Sequence, residues 1–272
     1  MRTIGAEFLK VTTTRMWWVL AIVLVLYVAA LAGGLGAFFG WYSTNPDGAP
    51  AGQPMPSTDA LAPLVYGFAT TVGYVFPVLL GALAVTGEFR HRLLTPTFLA
   101  NPHRAGVLWA KFGVLFVFGA LFGVFGYVAT LGAGGGALAG FGVDPVFDDV
   151  DTWLLVARGI LAMAIWAAIG VGLGTVVPNQ VAAIVIVIAF TQFLEPILRF
   201  VAALNDITAQ IAQYLPGAAS DALVGASFYA VSGSGMPTPV SLEWWQGGLV
   251  LAGYAVLFTL IGYATSWRRD VT

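Results

Sequence analysis

One carboxylate and one guanidinium group interrupt an otherwise apolar stretch of this chain. Glu195 and Arg199 lie in residues 181–203, four positions apart, and this spacing brings opposite charges together on one face of a helix. A carboxylate at the centre of a bilayer costs at least about 2.5 kcal/mol, so its presence needs a reason. The two residues either form a local ion pair or lie at the exterior end of a substrate pathway.

Other residue types that do chemistry are scarce. The chain has no cysteine and only two histidines, His91 and His103, so thiolate nucleophiles and Cys-ligated zinc are excluded. No GxxxxGK[ST] phosphate-binding loop is present, and we find no arrangement of a nucleophile and a base. We predict no catalytic, cofactor-binding or metal-ligating residue, with calcium at the aspartates of residues 144–151 as the alternative.

The composition is typical of a membrane protein. Hydrophobic residues make up 59% of the 272 positions and charged residues 9%, whereas soluble domains carry about 25% charged residues. The net charge of -2 provides no basic face for nucleic acid. We therefore expect this chain to lie in a lipid bilayer and not to bind nucleic acid.

Six apolar segments are long enough to cross a hydrocarbon core of about 30 Å. They predict transmembrane helices at residues 17–40, 64–86, 107–131, 152–177, 181–203 and 245–267. Ile4, Phe8 and Val11 recur at helical spacing and predict an interfacial helix over residues 1–16, with a plain cytoplasmic tail as the alternative. The expected fold is an all-α membrane protein.

The connections between these segments carry further predictions. In the third segment Gly119, Gly123 and Gly126 would let a neighbouring helix approach closely. The glycine-rich and acidic residues 132–151 predict a flexible exterior loop. Residues 206–214 and 220–229 predict two short exterior helices between spans 5 and 6, divided by Pro216-Gly217.

Charge sets the orientation. If both termini are cytoplasmic, nine of the 11 cations fall on the cytoplasmic side, and nine of the 13 acids fall in exterior loops. This distribution satisfies the positive-inside rule. We predict a multi-pass protein of the cytoplasmic membrane with both termini inside.

Residues 87–104, GEFRHRLLTPTFLANPHR, form the most polar interruption between two spans, and we call them the charged segment. Thr95 as N-cap and Pro96 in the first turn predict a short helix over residues 96–100, which Asn101-Pro102 would end. Its apolar Phe98 and Leu99 would dock into a partner. The alternative is a charged turn that contacts lipid headgroups.

The same segment resembles a known family. Gly87-Glu88-Phe89-Arg90-His91, followed by Thr95-Pro96-Thr97-Phe98-Leu99-Ala100 and then Pro102 and Arg104, is similar to the loop between spans two and three of ABC type-2 transporter permeases, particularly actinobacterial ones. The pattern EFLK-x-TTTR-x-WW of residues 7–18 similarly resembles that family's entry into its first span. Arg92-Leu93 departs from the family, which often has Gly followed by a small or hydroxylated residue.

The resemblance implies a function. In that family the loop contains a cytoplasmic coupling helix that contacts a separate ATPase subunit, which binds ATP and magnesium; this chain would then be no enzyme by itself. The implied docking residues are Glu88, Arg90, Arg92, Pro96, Phe98, Leu99 and Arg104.

A second permease subunit, identical or homologous, would complete the pathway of an exporter for a hydrophobic or amphiphilic cargo such as a drug or lipid. The polar groups expected along that path are Thr70, Thr71, Thr191, Gln192 and Glu195. The alternatives are a secondary carrier or channel that works without an ATPase, and a membrane anchor or sensor.

Overall fold

The structure is a computed structural model that describes residues 2–45, 56–202, 204–226 and 242–267. Over these residues the chain forms helices and no strand. The helices are α1 (Arg2–Thr13), α2 (Met16–Thr44), α3 (Thr58–Arg90), α4 (Leu94–Ala100), α5 (Arg104–Gly140), α6 (Val150–Val176), α7 (Gln180–Ala202), α8 (Asp206–Ala212), α9 (Pro216–Val224) and α10 (Trp244–Trp267).

Six of the described helices, α2, α3, α5, α6, α7 and α10, are long and apolar enough to cross a membrane. The predicted all-α class is therefore confirmed over the described residues, and each of the six predicted spans coincides with one of these long apolar helices. Several helices are longer than predicted, because their polar end turns continue the backbone hydrogen bonding beyond the apolar run. Helix α3, for example, occupies residues 58–90 where the apolar run predicted 64–86.

Helix α6 is the centre of the bundle. Of its apolar 18-residue stretch 72% is buried, whereas only 22% of the corresponding stretch of α7 is buried. Glycines explain how close its neighbours come. A Cβ at Gly119 of α5 would lie 2.7 Å from the Met163 carbonyl oxygen, and one at Gly123 would lie 2.8 Å from Ile160 Cα. The predicted close approach is confirmed at these two glycines, whereas Gly126 has ordinary space.

The prediction of a flexible loop is wrong for residues 132–140, because α5 continues to Gly140 through a π-helical turn at Thr130–Gly135. Close packing gives the glycines of this stretch their role. A Cβ at Gly134 would collide with Val65 of α3, and one at Gly36 of α2 would lie 2.7 Å from the Gly134 carbonyl oxygen. The connection to α6 is thus confined to residues 141–149.

One end of the bundle collects four parts of the chain. Asn101 Nδ2 donates to Thr3 Oγ1 at 3.1 Å, and Arg90 donates to Gln180 Oε1 at the start of α7 at 3.0 Å. At the end of α10, Trp267 Nε1 donates to the carbonyl oxygen of Arg104 at 2.9 Å. The N-terminal helix, the charged segment, the α6–α7 turn and the end of α10 therefore lie together, and we call this the charged end.

At the opposite end, two short helices are present between α7 and α10, as the sequence predicted, but the division between them differs. Pro216 and Gly217 begin α9 instead of separating the two helices, because proline is well tolerated in a first helical turn. Helix α9 is largely buried against α3, α6 and α10. The predicted continuation to residue 229 lies outside the described residues.

Candidate functional site

A cavity of about 320 Å³ lies between α3, α7 and α9. All five residues predicted for a substrate path line it. Its polar lining residues are Thr70, Thr71, Tyr74, Thr191, Gln192, Glu195, Arg199, Ser220 and Asp221. The structure thus brings the predicted residues together, and their role in transport stays a prediction.

Pro77 of α3 and Pro196 of α7 shape the helices on either side of this cavity. Helix α3 is interrupted at residues 72–74, one turn before Pro77, because proline lacks an N–H and crowds the preceding turn. Helix α7 contains a π-helical turn at Phe190–Leu194, in which the Glu195 N–H donates to the Phe190 carbonyl. Thr70 and Thr71 directly precede the interruption in α3, and Thr191 and Gln192 lie in the π-helical turn of α7.

A cross-helix hydrogen bond joins the two irregular turns. In the π-helical register the Thr191 carbonyl would accept from residue 196, but Pro196 has no N–H to give. The Tyr74 hydroxyl donates to that carbonyl instead, at 3.1 Å. The missing backbone donor in α7 is therefore replaced by a side chain of α3.

Three charged side chains meet at the cavity. Arg199 donates to Glu195 Oε1 through Nη2 at 2.9 Å and through Nε at 3.1 Å, which confirms the ion pair predicted from their spacing. Arg199 Nη1 also donates to Asp221 Oδ2 of α9, at 2.7 Å. We call these residues the acidic triad, because two carboxylates surround one guanidinium. Sequence reasoning missed Asp221.

The two oxygens of Glu195 have different surroundings. Oε1 accepts both bonds from Arg199 and a third from the Ala218 N–H, at 3.1 Å. Gly217 makes this approach possible, because a Cβ there would collide with Glu195 Oε1. Glu195 as a whole is only 2% exposed. Its second oxygen, Oε2, is buried as well, but it has no hydrogen-bond partner among the described residues.

The threonines of the cavity donate hydrogen bonds to their own helices. Thr70 and Thr71 each donate to the Gly67 carbonyl, and Thr191 donates to the Val187 carbonyl. A hydroxyl that has given its proton to the backbone keeps acceptor lone pairs. The oxygens of these hydroxyl groups can therefore act only as acceptors toward any further partner.

Aromatic rings form another part of the wall. Tyr74 stacks on Trp166 of α6, with ring centroids 4.4 Å apart, and Phe68 also belongs to the lining of the cavity. Trp166 Nε1 in turn donates to Ser220 Oγ of α9 at 3.0 Å. The wall is held by contacts from α3, α6 and α9 together.

A second cluster of charges is buried at the charged end. Lys10 Nζ lies 2.6 Å from Glu7 Oε1 and 2.8 Å from Glu88 Oε1, and Lys111 Nζ lies 3.0 Å from Glu88 Oε1 and also contacts Glu7 Oε2. We call these four residues the charge network. It joins α1, α3 and α5, and its formal charges cancel.

The charge network changes the position expected for Glu88. This residue was predicted at a docking surface, but it is 4% exposed and lies beneath that surface. Burial lowers the pKa of Lys10, but hydrogen bonds and charge from Glu7 and Glu88 outweigh it, so the pKa lies above its ordinary value of 10.5. Lys10 is therefore charged at neutral pH.

The charged segment forms a short helix, but it starts earlier than predicted. Helix α4 begins at Leu94, with Leu93 and not Thr95 before it as the cap residue, and it ends at Ala100 as predicted. Pro96 is tolerated because it lies in the first turn, where backbone N–H groups have no helical partner. Arg92 precedes the helix with a φ of 53°, a left-handed conformation that favours glycine.

The two apolar residues of α4 have different neighbours. Phe98 packs edge-on against Trp267 of α10, with ring centroids 5.6 Å apart, and the Arg104 guanidinium lies 4.9 Å from the Phe98 ring centroid. Leu99 is 81% exposed. Leu99, not Phe98, is therefore the side chain that α4 presents outward, together with the exposed Arg90 and Arg92.

No protein-family model matches this chain, and no curated protein matches it.

Proposed function

We propose that this chain is the transmembrane permease subunit of an ATP-driven exporter. ATP and magnesium bind to a separate ATPase subunit, which docks on α4 and the arginines around it. The observation that carries this proposal is the exposure of Leu99, 81%, on a helix whose aromatic residue, Phe98, packs against Trp267 of α10. An exposed apolar residue with cationic neighbours suits a protein partner.

The contacts of α4 support a coupling role. Through Phe98 the helix bears on Trp267 of α10, and through Asn101 it contacts α1. It also directly follows α3, whose Glu88 belongs to the charge network. A force on α4 would therefore reach spans at both ends of the sequence, as expected of a coupling helix.

The orientation follows from charge. The charged end carries Lys10, Arg15, Arg90 and further cations, and belongs in the cytoplasm under the positive-inside rule, which puts both termini on the inner side of the cytoplasmic membrane. Helix α1 would lie in the interface with its exposed Ile4, Phe8 and Leu9 toward lipid. Helices α8 and α9 would then lie toward the exterior.

The cargo path is proposed at the cavity. Helix α7 is the least buried of the six long helices, since only 22% of its apolar 18-residue stretch is buried. It exposes large apolar side chains such as Phe193 and Phe200. We assign this face to a second permease subunit, identical or homologous, with lipid around the pair. The cargo, a hydrophobic or amphiphilic compound, would pass beside Thr70, Thr71, Thr191, Gln192 and Glu195.

Copurification tests the docking. The tagged chain is purified from its host as wild type, as Leu99→Asp and as Leu204→Asp, a matched control at a leucine that is 68% exposed at the opposite end. We expect an ATPase subunit with a Walker A motif to copurify with wild type and Leu204→Asp and to be lost with Leu99→Asp. Equal recovery of that subunit with all three chains would contradict the proposal.

A secondary carrier is the second candidate, and one observation favours it. Glu195 places an ionisable group in a cavity inside the bundle, which is typical of ion-coupled transport. Proteoliposomes that contain this chain alone separate the two functions. Uptake driven by an ion gradient without an ATPase would support the carrier.

A further inference from the structure

The unpartnered oxygen of Glu195 is the starting point. Oε2 is buried without a hydrogen-bond partner among the described residues, in a side chain that lines the cavity. A buried acceptor that is left unsatisfied costs free energy, and the cost is larger when the acceptor is charged. A ligand that donates a hydrogen bond to this oxygen would recover that cost.

The charges of the lining select the sign of the ligand. The acidic triad has two carboxylates and one guanidinium, which leaves one formal negative charge, and Arg199 is the single cation among the residues that line the cavity. Each of its three guanidinium nitrogens already donates to a carboxylate. The lining therefore favours a positive group over a negative one.

The neutral groups of the lining have the same preference. Thr71 and Thr191 give their hydroxyl protons to backbone carbonyls, so these lining residues offer oxygens that can only accept further hydrogen bonds. Thr191 Oγ1 already lies 3.5 Å from Gln192 Nε2, which leaves Thr71 as the freer acceptor of the two. The rings of Phe68 and Tyr74 lie in the lining, and aromatic faces attract cations. Donors on the ligand would meet acceptors on the wall.

Size separates an organic cation from an inorganic ion. A cavity of about 320 Å³ falls in the range of small-molecule pockets, about 300–1,000 Å³. A bare metal ion would need several oxygen ligands at once, and the described residues include no group of three or more His, Cys, Asp or Glu that could hold one. The size and the single free carboxylate oxygen suit one ammonium group on an apolar body.

We propose that this cavity binds small organic amines in their protonated form, with the ammonium group paired with the Glu195 carboxylate and the apolar body lying against Phe68 and Tyr74. This inference rests on the proposed function in one respect, since it names the cargo class as a cationic amphiphile. The binding itself does not depend on an ATPase.

The test compares two ligands of equal shape. The purified chain in lipid nanodiscs is equilibrated at neutral pH with 2-phenylethylammonium or with the uncharged 2-phenylethanol, and bound ligand is measured by dialysis. A charge-assisted hydrogen bond is worth about 1.5–3 kcal/mol, so we expect the amine to bind about 10- to 100-fold more tightly than the alcohol. Equal binding of the two ligands would overturn the proposal.

Three variants locate the site. Glu195→Gln should reduce amine binding to the level of the alcohol and leave alcohol binding unchanged. Asp148→Asn is the matched control, because it also removes one carboxylate but from an exposed loop position, and it should bind the amine like wild type. Gln192→Lys places a cation at an exposed position of the lining and should weaken amine binding while Glu195 keeps its native contacts.

The outcomes are decisive even if one variant folds poorly. Undiminished amine binding by a folded Glu195→Gln, or by Gln192→Lys, would refute the site. Radioactive sodium that binds with the same dependence on Glu195 and displaces the amine would identify an alkali-metal site and refute the amine proposal. Because no ATPase is present in this assay, failure here leaves the docking experiment at Leu99 unaffected.

Discussion

Replacement of Lys111 by methionine should destabilise the protein strongly. Lys111 is 3% exposed and contacts both Glu7 and Glu88, so Lys111→Met leaves two buried carboxylates with Lys10 as their only partner in the charge network. Removal of one partner from a buried ion pair costs about 3–5 kcal/mol. We expect the lower end of this range, about 3 kcal/mol, because Lys10 still offsets one of the two charges.

A second substitution should restore most of the loss. Lys111→Met combined with Glu7→Gln leaves one carboxylate and one ammonium, Glu88 and Lys10, which lie 2.8 Å apart. The formal charge of the network is then zero again, and replacing both members of a buried pair is often close to neutral. Arg15→Met is the surface control, and exposed changes of this kind usually stay within about 0.5 kcal/mol.

The assay is unfolding in mixed micelles, titrated with sodium dodecyl sulfate and followed by far-ultraviolet circular dichroism. The predicted order of stability is wild type and Arg15→Met, then the double variant, then Lys111→Met. If Lys111→Met is as stable as wild type, or if Glu7→Gln brings no recovery, the charge network does not hold α1 to α3 and α5 in the way described.

Three further predictions concern stability, each read from an unfolding midpoint. Arg92→Gly should stabilise the protein by about 1 kcal/mol, because it relieves a left-handed conformation, and a lower midpoint would contradict this. Gly170→Ala should destabilise the protein, because a Cβ there collides with the Val78 carbonyl oxygen. Gly136→Ala is the control and should not destabilise it, because a Cβ there meets open space. Equal effects of the two substitutions would count against the packing of α6 on α3. The pKa of Lys10 is raised on folding above its ordinary value of 10.5, so the stabilising contribution of Lys10 is fully present below that value and is lost as the pH rises through the folded-state pKa. Lys10→Met should weaken this loss of stability at alkaline pH, and an unchanged alkaline profile would refute the pairing.

The six long apolar helices and the pairing of Glu195 with Arg199 could be predicted because both depend on local sequence. An apolar run of sufficient length has few alternatives to a membrane helix, and a spacing of four residues fixes a shared helix face. The end of α4 was predictable for the same reason, since Asn101-Pro102 stops a helix within its own sequence.

The partners from other helices could not be predicted. Asp221 reaches Arg199 only because α9 packs inside the bundle, and Lys10 reaches Glu88 across 78 positions of sequence. The sequence signal that was available, the spacing of Glu7 and Lys10 by three residues, indicated a pair on α1 but not its burial. Distant contacts of this kind depend on how helices pack, and no periodic pattern in the sequence encodes them.

Glycine was misread at residues 132–140 for a physical reason. In water glycine weakens a helix by about 1 kcal/mol relative to alanine, so a glycine-rich stretch predicts a loop. In a membrane, helices associate by close packing, and small residues are favoured where backbones meet. Gly134 against Val65 is such a contact, and it outweighs the intrinsic preference.

Cross-linking from position 99 tests the central claim most directly. The chain has no cysteine, so Leu99→Cys introduces a unique thiol that can carry a benzophenone group, and Leu204→Cys provides the control. In native membranes we predict a light-dependent product between position 99 and a protein with a Walker A motif, and no such product from position 204. A position 99 that reacts only with lipid, or a Walker A protein captured equally from both positions, would contradict the docking of an ATPase subunit on α4.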